Sequence, residues 1–297
     1  MLVLEDYFQE KRGIVDRELD IFLTLQGNIP PQITEAMRYS VFAGGKRLRA
    51  ILVIASAEAV GGDFRKALSV ACALELIHAY SLIHDDLPAM DDDTYRRGKL
   101  TNHKVFGEAM AILAGDALLT YAFQLLTDAS RFQPLESMKL LSIAHEIAKA
   151  AGIMGMIGGQ VVDIQSEGKI VDLPTVQYIH THKTGALIRI AAFSGALLCS
   201  DNQEAIHALR NYGEDIGLAF QIVDDILDIE GDQTLLGKDI GSDQENQKAT
   251  YPALVGLEAS KEMARKLIDS ALSHLAILDE KADPLREIAQ FIISRRS

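Results

Sequence analysis

Apolar residues recur at helical spacing along nearly the whole of this 297-residue chain, and the pattern breaks at only a few marked places. An amphipathic stretch from about Leu4 to Leu25 stops at Gly27-Asn28-Ile29-Pro30-Pro31, where two prolines cannot continue a helix. A second runs from Ile33 to Phe42 and is cut by Gly44-Gly45; a third, Lys46 to Val60, ends at Gly61-Gly62. The fourth, Phe64 to Asp86, is strongly apolar and halts ahead of Pro88, because the residue before a proline is pushed out of the helical region. Further helices are expected over Glu108–Thr127, Leu135–Ala151, Ile153–Gln165, Thr175–His182, Ala186–Leu198 and Gln203–Ile229, with two or three more between Tyr251 and Arg296. Strand formers are concentrated nowhere, and no low-complexity linker divides residues 1–297. The expectation is an all-α, single-domain bundle of roughly ten or more helices.

Two irregular polar segments, Pro88–Gly107 and Gly231–Thr250, are longer than simple connections need and are candidates for function. The net charge of −13 argues against broad nucleic-acid binding and against docking on anionic lipid. Cys72 and Cys199 lie in apolar helical stretches without ligand spacing, as reduced core thiols do. Met1–Glu10 is acidic and lacks a basic-then-apolar leader pattern, and no membrane span is expected. The chain reads as cytoplasmic.

Asp85-Asp86-Leu87-Pro88-Ala89-Met90-Asp91-Asp92-Asp93 places five carboxylates within nine residues at the end of an apolar helix. Like charges this close repel, and a helix C-terminus is the wrong dipole end for anions. A cation relieves both problems. In Asp224-Asp225-Ile226-Leu227-Asp228 the outer aspartates are four apart, about 40° on one helix face, with apolar neighbours. Buried carboxylates need hydrogen-bond donors or a metal. Oxygen ligands alone point to a hard cation, and Mg²⁺ prefers few protein carboxylates together with waters and phosphate oxygens. Two facing aspartate patches suit a diphosphate held between them.

With both clusters in view, the chain resembles the trans-prenyltransferases of the polyprenyl diphosphate synthase family, and among them the bacterial farnesyl-forming members. The likeness runs nearly end to end. Gly44-Gly45-Lys46-Arg47-Leu48-Arg49 is similar to the family's isopentenyl-site motif, and Asp85 to Asp91 to its first aspartate-rich motif, in the form with two extra residues. Arg96-Arg97-Gly98, Lys183-Thr184, Phe220-Gln221, Asp224 to Asp228 and Gly237-Lys238-Asp239 follow as in the family. The resemblance implies an isoprenoid-synthase bundle around a central cavity, working as a homodimer on isopentenyl diphosphate and dimethylallyl or geranyl diphosphate, with three Mg²⁺ per site when substrate is bound. It makes Asp85, Asp91 and Asp224 the direct metal ligands, with Asp86, Asp225 and Asp228 ligating directly or through water. Isopentenyl diphosphate, which carries no metal in this family, falls to Gly45, Lys46, Arg49, His78 and Arg97. The allylic diphosphate falls to Arg96, Lys183, Thr184, Gln221 and Lys238.

Tyr80 stands five residues before Asp85, roughly 7.5 Å down the helix, and reads either as an ordinary packed ring or, by its similarity to farnesyl-forming members, as the floor of a pocket for a growing tail. Ser81 beside it leaves room. The implied product has fifteen carbons, with ten or twenty as alternatives. Two rivals are weaker. A non-catalytic subunit of a heteromeric prenyltransferase is expected to lose site residues that are all present here. A metal phosphohydrolase built on His84-Asp85 leaves Asp224–Asp228 and the basic clusters without a role.

Overall fold

A computed structural model describes residues 3–25, 27–128, 130, 136–230 and 250–295, and almost all regular structure among them is helical. The chain runs through α1 (Leu4–Phe22), α2 (Pro31–Val41), α3 (Leu48–Ala59) and α4 (Leu68–Asp85), the last entered through a 3₁₀ turn at Phe64–Ala67. A two-stranded hairpin, β1 (Tyr95–Arg96) and β2 (Lys99–Leu100), is followed by α5 (Asn102–Phe106) and α6 (Glu108–Thr127). Then come α7 (Ser137–Ala151), α8 (Met156–Ser166), α9 (Leu173–Ile179), a π-helical turn at His180–Gly185, α10 (Ala186–Cys199) and α11 (Gln203–Glu230). The chain closes with α12 (Tyr251–Val255), α13 (Leu257–His274) and α14 (Asp283–Ser294).

α4 is the centre of the bundle. Every residue from Val70 to Ile77 is buried, so this helix has hardly a solvent face, as its all-round apolar sequence requires. It packs against α3 and α6, while α10 bridges α3 to α11 and α13 covers the far side of α11. Complete burial of a Leu or Ile is worth about 1.5–3 kcal/mol. Leu74, Leu76 and Ile77 therefore anchor the helix firmly enough to carry charge at its C-terminal end. One continuous core reaches from Tyr7 of α1 to Ile292 of α14.

The helix limits differ from expectation where backbone conformation overrides periodicity. Pro31 opens α2 rather than excluding it, since a proline suits the first helical turn. α3 starts at Leu48, not Lys46, because Gly44, Gly45 and Arg47 all have positive φ. The segment Pro88–Gly107 contains the hairpin and α5. Its turn places Arg97 (φ 54°) and Gly98 (φ 75°) at the two central positions, the type I′ geometry that matches strand twist. The gap between the expected helices Thr175–His182 and Ala186–Leu198 is closed, because the π turn carries α9 into α10 without a break. Three apolar runs bear on the expectation of no membrane span. Phe64–Asp85, Glu108–Thr127 and Ser137–Ser166 are long and apolar enough to cross a membrane by length and composition. In Phe64–Asp85, 72 % of the apolar window is covered by the rest of the fold, so its hydropathy reflects a central position in the bundle.

Gly195 of α10 is where α10 meets α3 most closely: a Cβ there would collide with the Val53 carbonyl and come within 3.0 Å of Ala57 N. Gly195→Ala is expected to lower unfolding stability by about 1–3 kcal/mol, the cost of overpacking a close contact, with helical content retained. Thermal or urea unfolding checks it; an unchanged midpoint means that the α3–α10 contact yields freely.

Candidate active site

A cavity of about 620 Å³ lies against the C-terminal half of α4. α4 lines it with His78, Tyr80, Ser81, Leu82, His84 and Asp85, and the following loop adds Met90 and Asp91. Arg49, Arg96, Lys183, Thr184 and Gln221 supply the other polar groups, and α8 supplies Met156, Ile157, Gln160, Val161 and Ile164. The volume is that of a small-molecule site, mostly apolar with a few convergent polar groups.

The loop after α4 folds back on itself. The Asp91 amide donates to the Asp85 carbonyl at 2.9 Å, and the Asp92 amide to the Leu87 carbonyl at 3.1 Å, which returns Asp91 to the cavity beside Asp85. Pro88 thus ends the helix without removing its acids from the site. Asp86 behaves differently. It is buried, accepts from Arg96 Nε at 2.5 Å, and borders a second, smaller cavity instead. Burial raises its pKa to about 6, against the pull of Arg96. Arg96 also donates to Asp93 at 2.9 Å, and Asp92 pairs with Lys104 at 3.4 Å.

The π turn brings up the opposite polar wall. Lys183 Nζ lies 2.7 Å from Asp163 of α8. Burial works against its charge, but Asp163, Asp85 and Asp91 more than offset that and raise its pKa. Thr184 donates to Gln221 Oε1 at 3.1 Å, and Gln221 in turn donates to Asp224 at 3.1 Å. Asp224 also accepts from Arg295 at 2.7 Å, and that guanidinium sits 3.9 Å above the Phe220 ring. Asp225 accepts from His180 and from the Tyr251 amide, both at 2.9 Å. Asp225 and Asp228 are buried, and neither lines either cavity.

The basic cluster forms around the small cavity of about 30 Å³, whose lining includes Arg47, Glu75, His78, Asp86, Arg96 and Arg97. Arg97 donates to the Gly44 carbonyl, and a Cβ on Gly45 would meet its guanidinium at 2.5 Å, so only glycine admits this arginine. Arg47, itself left-handed and buried, is tied to Asp16 at 2.8 Å, to the Val41 carbonyl at 2.6 Å and to Glu75 at 3.5 Å. Lys46 precedes that anchored residue and Arg49 follows it by two. The Arg49 Nε is buried without a partner among the described residues, and Lys46 Nζ lies 5.4 Å over the Phe291 ring. His78, Leu82 and Arg96 border both cavities.

The structure thus brings together Asp85, Asp91, Arg49, His78, Arg96, Lys183, Thr184, Gln221, Tyr80 and Ser81 on one cavity, with Gly45 and Arg97 behind it. Lys238 lies outside the described residues. Ile77 and Leu74, one and two turns below Ser81, are core and not cavity wall. The wall of α8 went unread in the sequence. Its one available signal was Gln160 and Asp163, two polar residues three apart within the mostly apolar run Met156–Ile164, whose Ile157, Val161 and Ile164 are exposed. Among the described residues no three Asp, Glu, His or Cys side chains form a ready metal cage. An oxygen-only donor set, two carboxylates on the cavity and a third behind Gln221, fits a hard cation that completes its shell from water and phosphate.

Residues 30–288 match the Polyprenyl synthetase family. A farnesyl diphosphate synthase from Geobacillus stearothermophilus is 47 % identical over 99 % of this chain and 98 % of its own length. A geranylgeranyl diphosphate synthase from Cyanophora paradoxa is also 47 % identical, over 98 % and 96 %. The crystal structure of an FPP/GFPP synthase from Zymomonas mobilis, 39 % identical, superposes with a TM-score of 0.87 over 97 % of this chain and 98 % of that one.

Burial, and then Arg49, Arg97, Arg96 and Arg47 around it, hold the His78 pKa well below the ordinary histidine value. As pH falls, the unfolded chain therefore takes up this proton before the folded one. The stability involved is intact above the ordinary value and lost as pH falls from there toward the folded value. The His78 imidazole should stay neutral at pH 6 by ¹⁵N NMR, and His78→Gln should reduce the acid sensitivity of the unfolding midpoint. A normally titrating His78 contradicts the assignment.

Proposed function

We propose that this chain, which belongs to the polyprenyl synthetase family, is a cytoplasmic trans-prenyltransferase that joins dimethylallyl or geranyl diphosphate to isopentenyl diphosphate and releases farnesyl diphosphate. Residues 1–297 act as one catalytic domain. The observation that carries this reading is a single cavity walled by the carboxylates Asp85 and Asp91, the cations Arg49, Arg96 and Lys183, and the apolar side chains of α8.

Asp85, Asp91 and Asp224 are the residues that would hold magnesium, three ions per site in this reading. Bound there, magnesium supplies Lewis-acid neutralisation of the allylic diphosphate. Arg96, Lys183, Gln221 and Lys238 grip the same diphosphate. Lys46, Arg49 and Arg97 neutralise isopentenyl diphosphate, with arginine forks matching pairs of phosphate oxygens. His78, held neutral, donates a hydrogen bond without adding to the crowded positive charge. The allylic C–O bond breaks and its electron pair leaves with diphosphate. The isopentenyl double bond then attacks the allylic carbon, and a proton passes to the departed diphosphate. Met156, Ile157, Val161 and Ile164 keep water from the intermediate cation.

A second copy of the chain is the partner this reading assigns, in a homodimer. The exposed Val105 of α5 and Ile112 and Leu113 of α6 supply apolar surface of the kind such an interface covers. No membrane span is proposed.

Product analysis by mass spectrometry, with dimethylallyl and isopentenyl diphosphates and Mg²⁺, tests the activity directly. Asp85→Ala and Asp224→Ala should each cut turnover by orders of magnitude with the helical fold intact. Near-wild-type rates in either variant would remove that residue from the metal set.

A farnesyl and a geranylgeranyl diphosphate synthase are equally similar to this chain, and in this reading Tyr80 sets the product length. Its ring is 6 % exposed and lines the cavity, and its hydroxyl has no hydrogen-bond partner among the described residues. Tyr80→Ala should shift products to twenty carbons or longer with the first condensation little changed, at a stability cost of about 3–5 kcal/mol. A folded, active variant that still stops at fifteen would make Tyr80 a packing residue only.

A further inference from the structure

The π turn meets α11 through two rungs. On the cavity side Thr184 donates to Gln221 at 3.1 Å; behind it, in the interior, His180 Nε2 donates to Asp225 Oδ2 at 2.9 Å. His180 and Thr184 are four residues apart, and so are Gln221 and Asp225. The rungs therefore stand about one helical turn apart and run antiparallel, which fixes the register of the turn on α11. His180 is 7 % exposed and Asp225 6 %, so neither rung member is free to solvate. The same Asp225 Oδ2 accepts from the backbone N–H of Tyr251, the first residue of α12. The Tyr251 ring lies against the imidazole, centroids 5.4 Å apart and planes 23° apart.

A π turn is an uncommon conformation, usually limited to a single turn, and it persists where its surroundings hold it. Lys183 and Thr184 reach the cavity from inside that turn. We infer that His180 and Asp225 are a positioning pair: they hold the π turn in the register that presents Lys183 and Thr184, and Asp225 serves in that role instead of as a metal ligand. Its Oδ2 is committed to two donors from two separate elements, and its side chain lines neither cavity. What Lys183 and Thr184 do there rests on the prenyl-transfer reading above; the ladder itself does not.

The test uses the full chain with His180→Ala, His180→Gln, Asp225→Asn and the double variant His180→Ala/Asp225→Asn. His180→Ala and Asp225→Asn should each lower kcat roughly tenfold or more, with half-saturating Mg²⁺ and the KM for isopentenyl diphosphate within about twofold of wild type. The double variant should be no worse than the worse single one, as expected of two residues acting through one contact. His180→Gln, which keeps an N–H donor, should recover most of the lost turnover. Without any substrate or metal, amide exchange should quicken at residues 180–185 and at Tyr251 in both single variants. If His180→Ala does not fold, His180→Gln and Asp225→Asn carry the same comparison. A half-saturating Mg²⁺ raised tenfold or more in Asp225→Asn, with His180→Ala near wild type, overturns the inference and makes Asp225 a ligand; so do multiplicative effects in the double variant or unchanged exchange. If the wild-type chain fails to condense the two diphosphates, the prenyl-transfer reading falls, while the exchange data still judge the ladder.

Discussion

Concentrated negative charge at the end of a buried apolar helix is the constraint around which this molecule is arranged. α4 delivers Asp85 and Asp86 from the middle of the core, and their repulsion, set against the helix dipole, is unfavourable unless cations answer it. The fold answers several of these carboxylates with partners from elsewhere: Arg96 for both Asp86 and Asp93, Lys104 for Asp92, Arg295 for Asp224, His180 for Asp225. These partners come from the hairpin, α5, the C-terminal segment and the π turn, so satisfying the charges draws distant parts of the chain onto one region. An uncompensated buried charge costs far more than a surface pair contributes, so loss of Arg96 from Asp86 or of His180 from Asp225 should be felt strongly, and loss of the exposed Lys104–Asp92 pair hardly at all.

Most of the architecture was legible because helical periodicity is a local signal. The core helices and the stop before Pro88 follow from residues within a few positions of one another. Features that depend on pairing across the chain were not legible. Asp85 and Asp86 are neighbours in sequence, yet one faces the cavity and the other turns to Arg96, a choice made by the hairpin and not by α4. The left-handed backbones at Arg47 and Arg97 oppose their residue types, and each is held by contacts from elsewhere: Asp16 and Glu75 for one, the Gly44 carbonyl for the other. The π turn was hidden because apolar periodicity lapses between Thr175–His182 and Ala186–Leu198, and a lapse reads as a break. α8 was seen as a helix but not as a cavity wall, since its exposed apolar side resembles any half-buried surface until α4 is placed opposite.

Held charges and an apolar chamber divide the work of the site. The polar groups sit on elements whose positions are over-determined by ion pairs and hydrogen bonds, as precise placement of diphosphates demands. The apolar side is built from side chains that only need to fill space, and there substitution changes volume without disturbing the charges.

The wall shared by the two cavities has a consequence for how such a protein can change over time. His78, Leu82 and Arg96 each touch both chambers, so a substitution at any of them reshapes both at once. Such positions resist tuning, because a change that suits one chamber also alters the other. Tyr80, Ser81 and the α8 stripe touch only the larger chamber and are released from that bargain. Diversity in a lineage built this way should gather on the apolar side, where one dimension of the pocket can drift alone, while the common partition stays still.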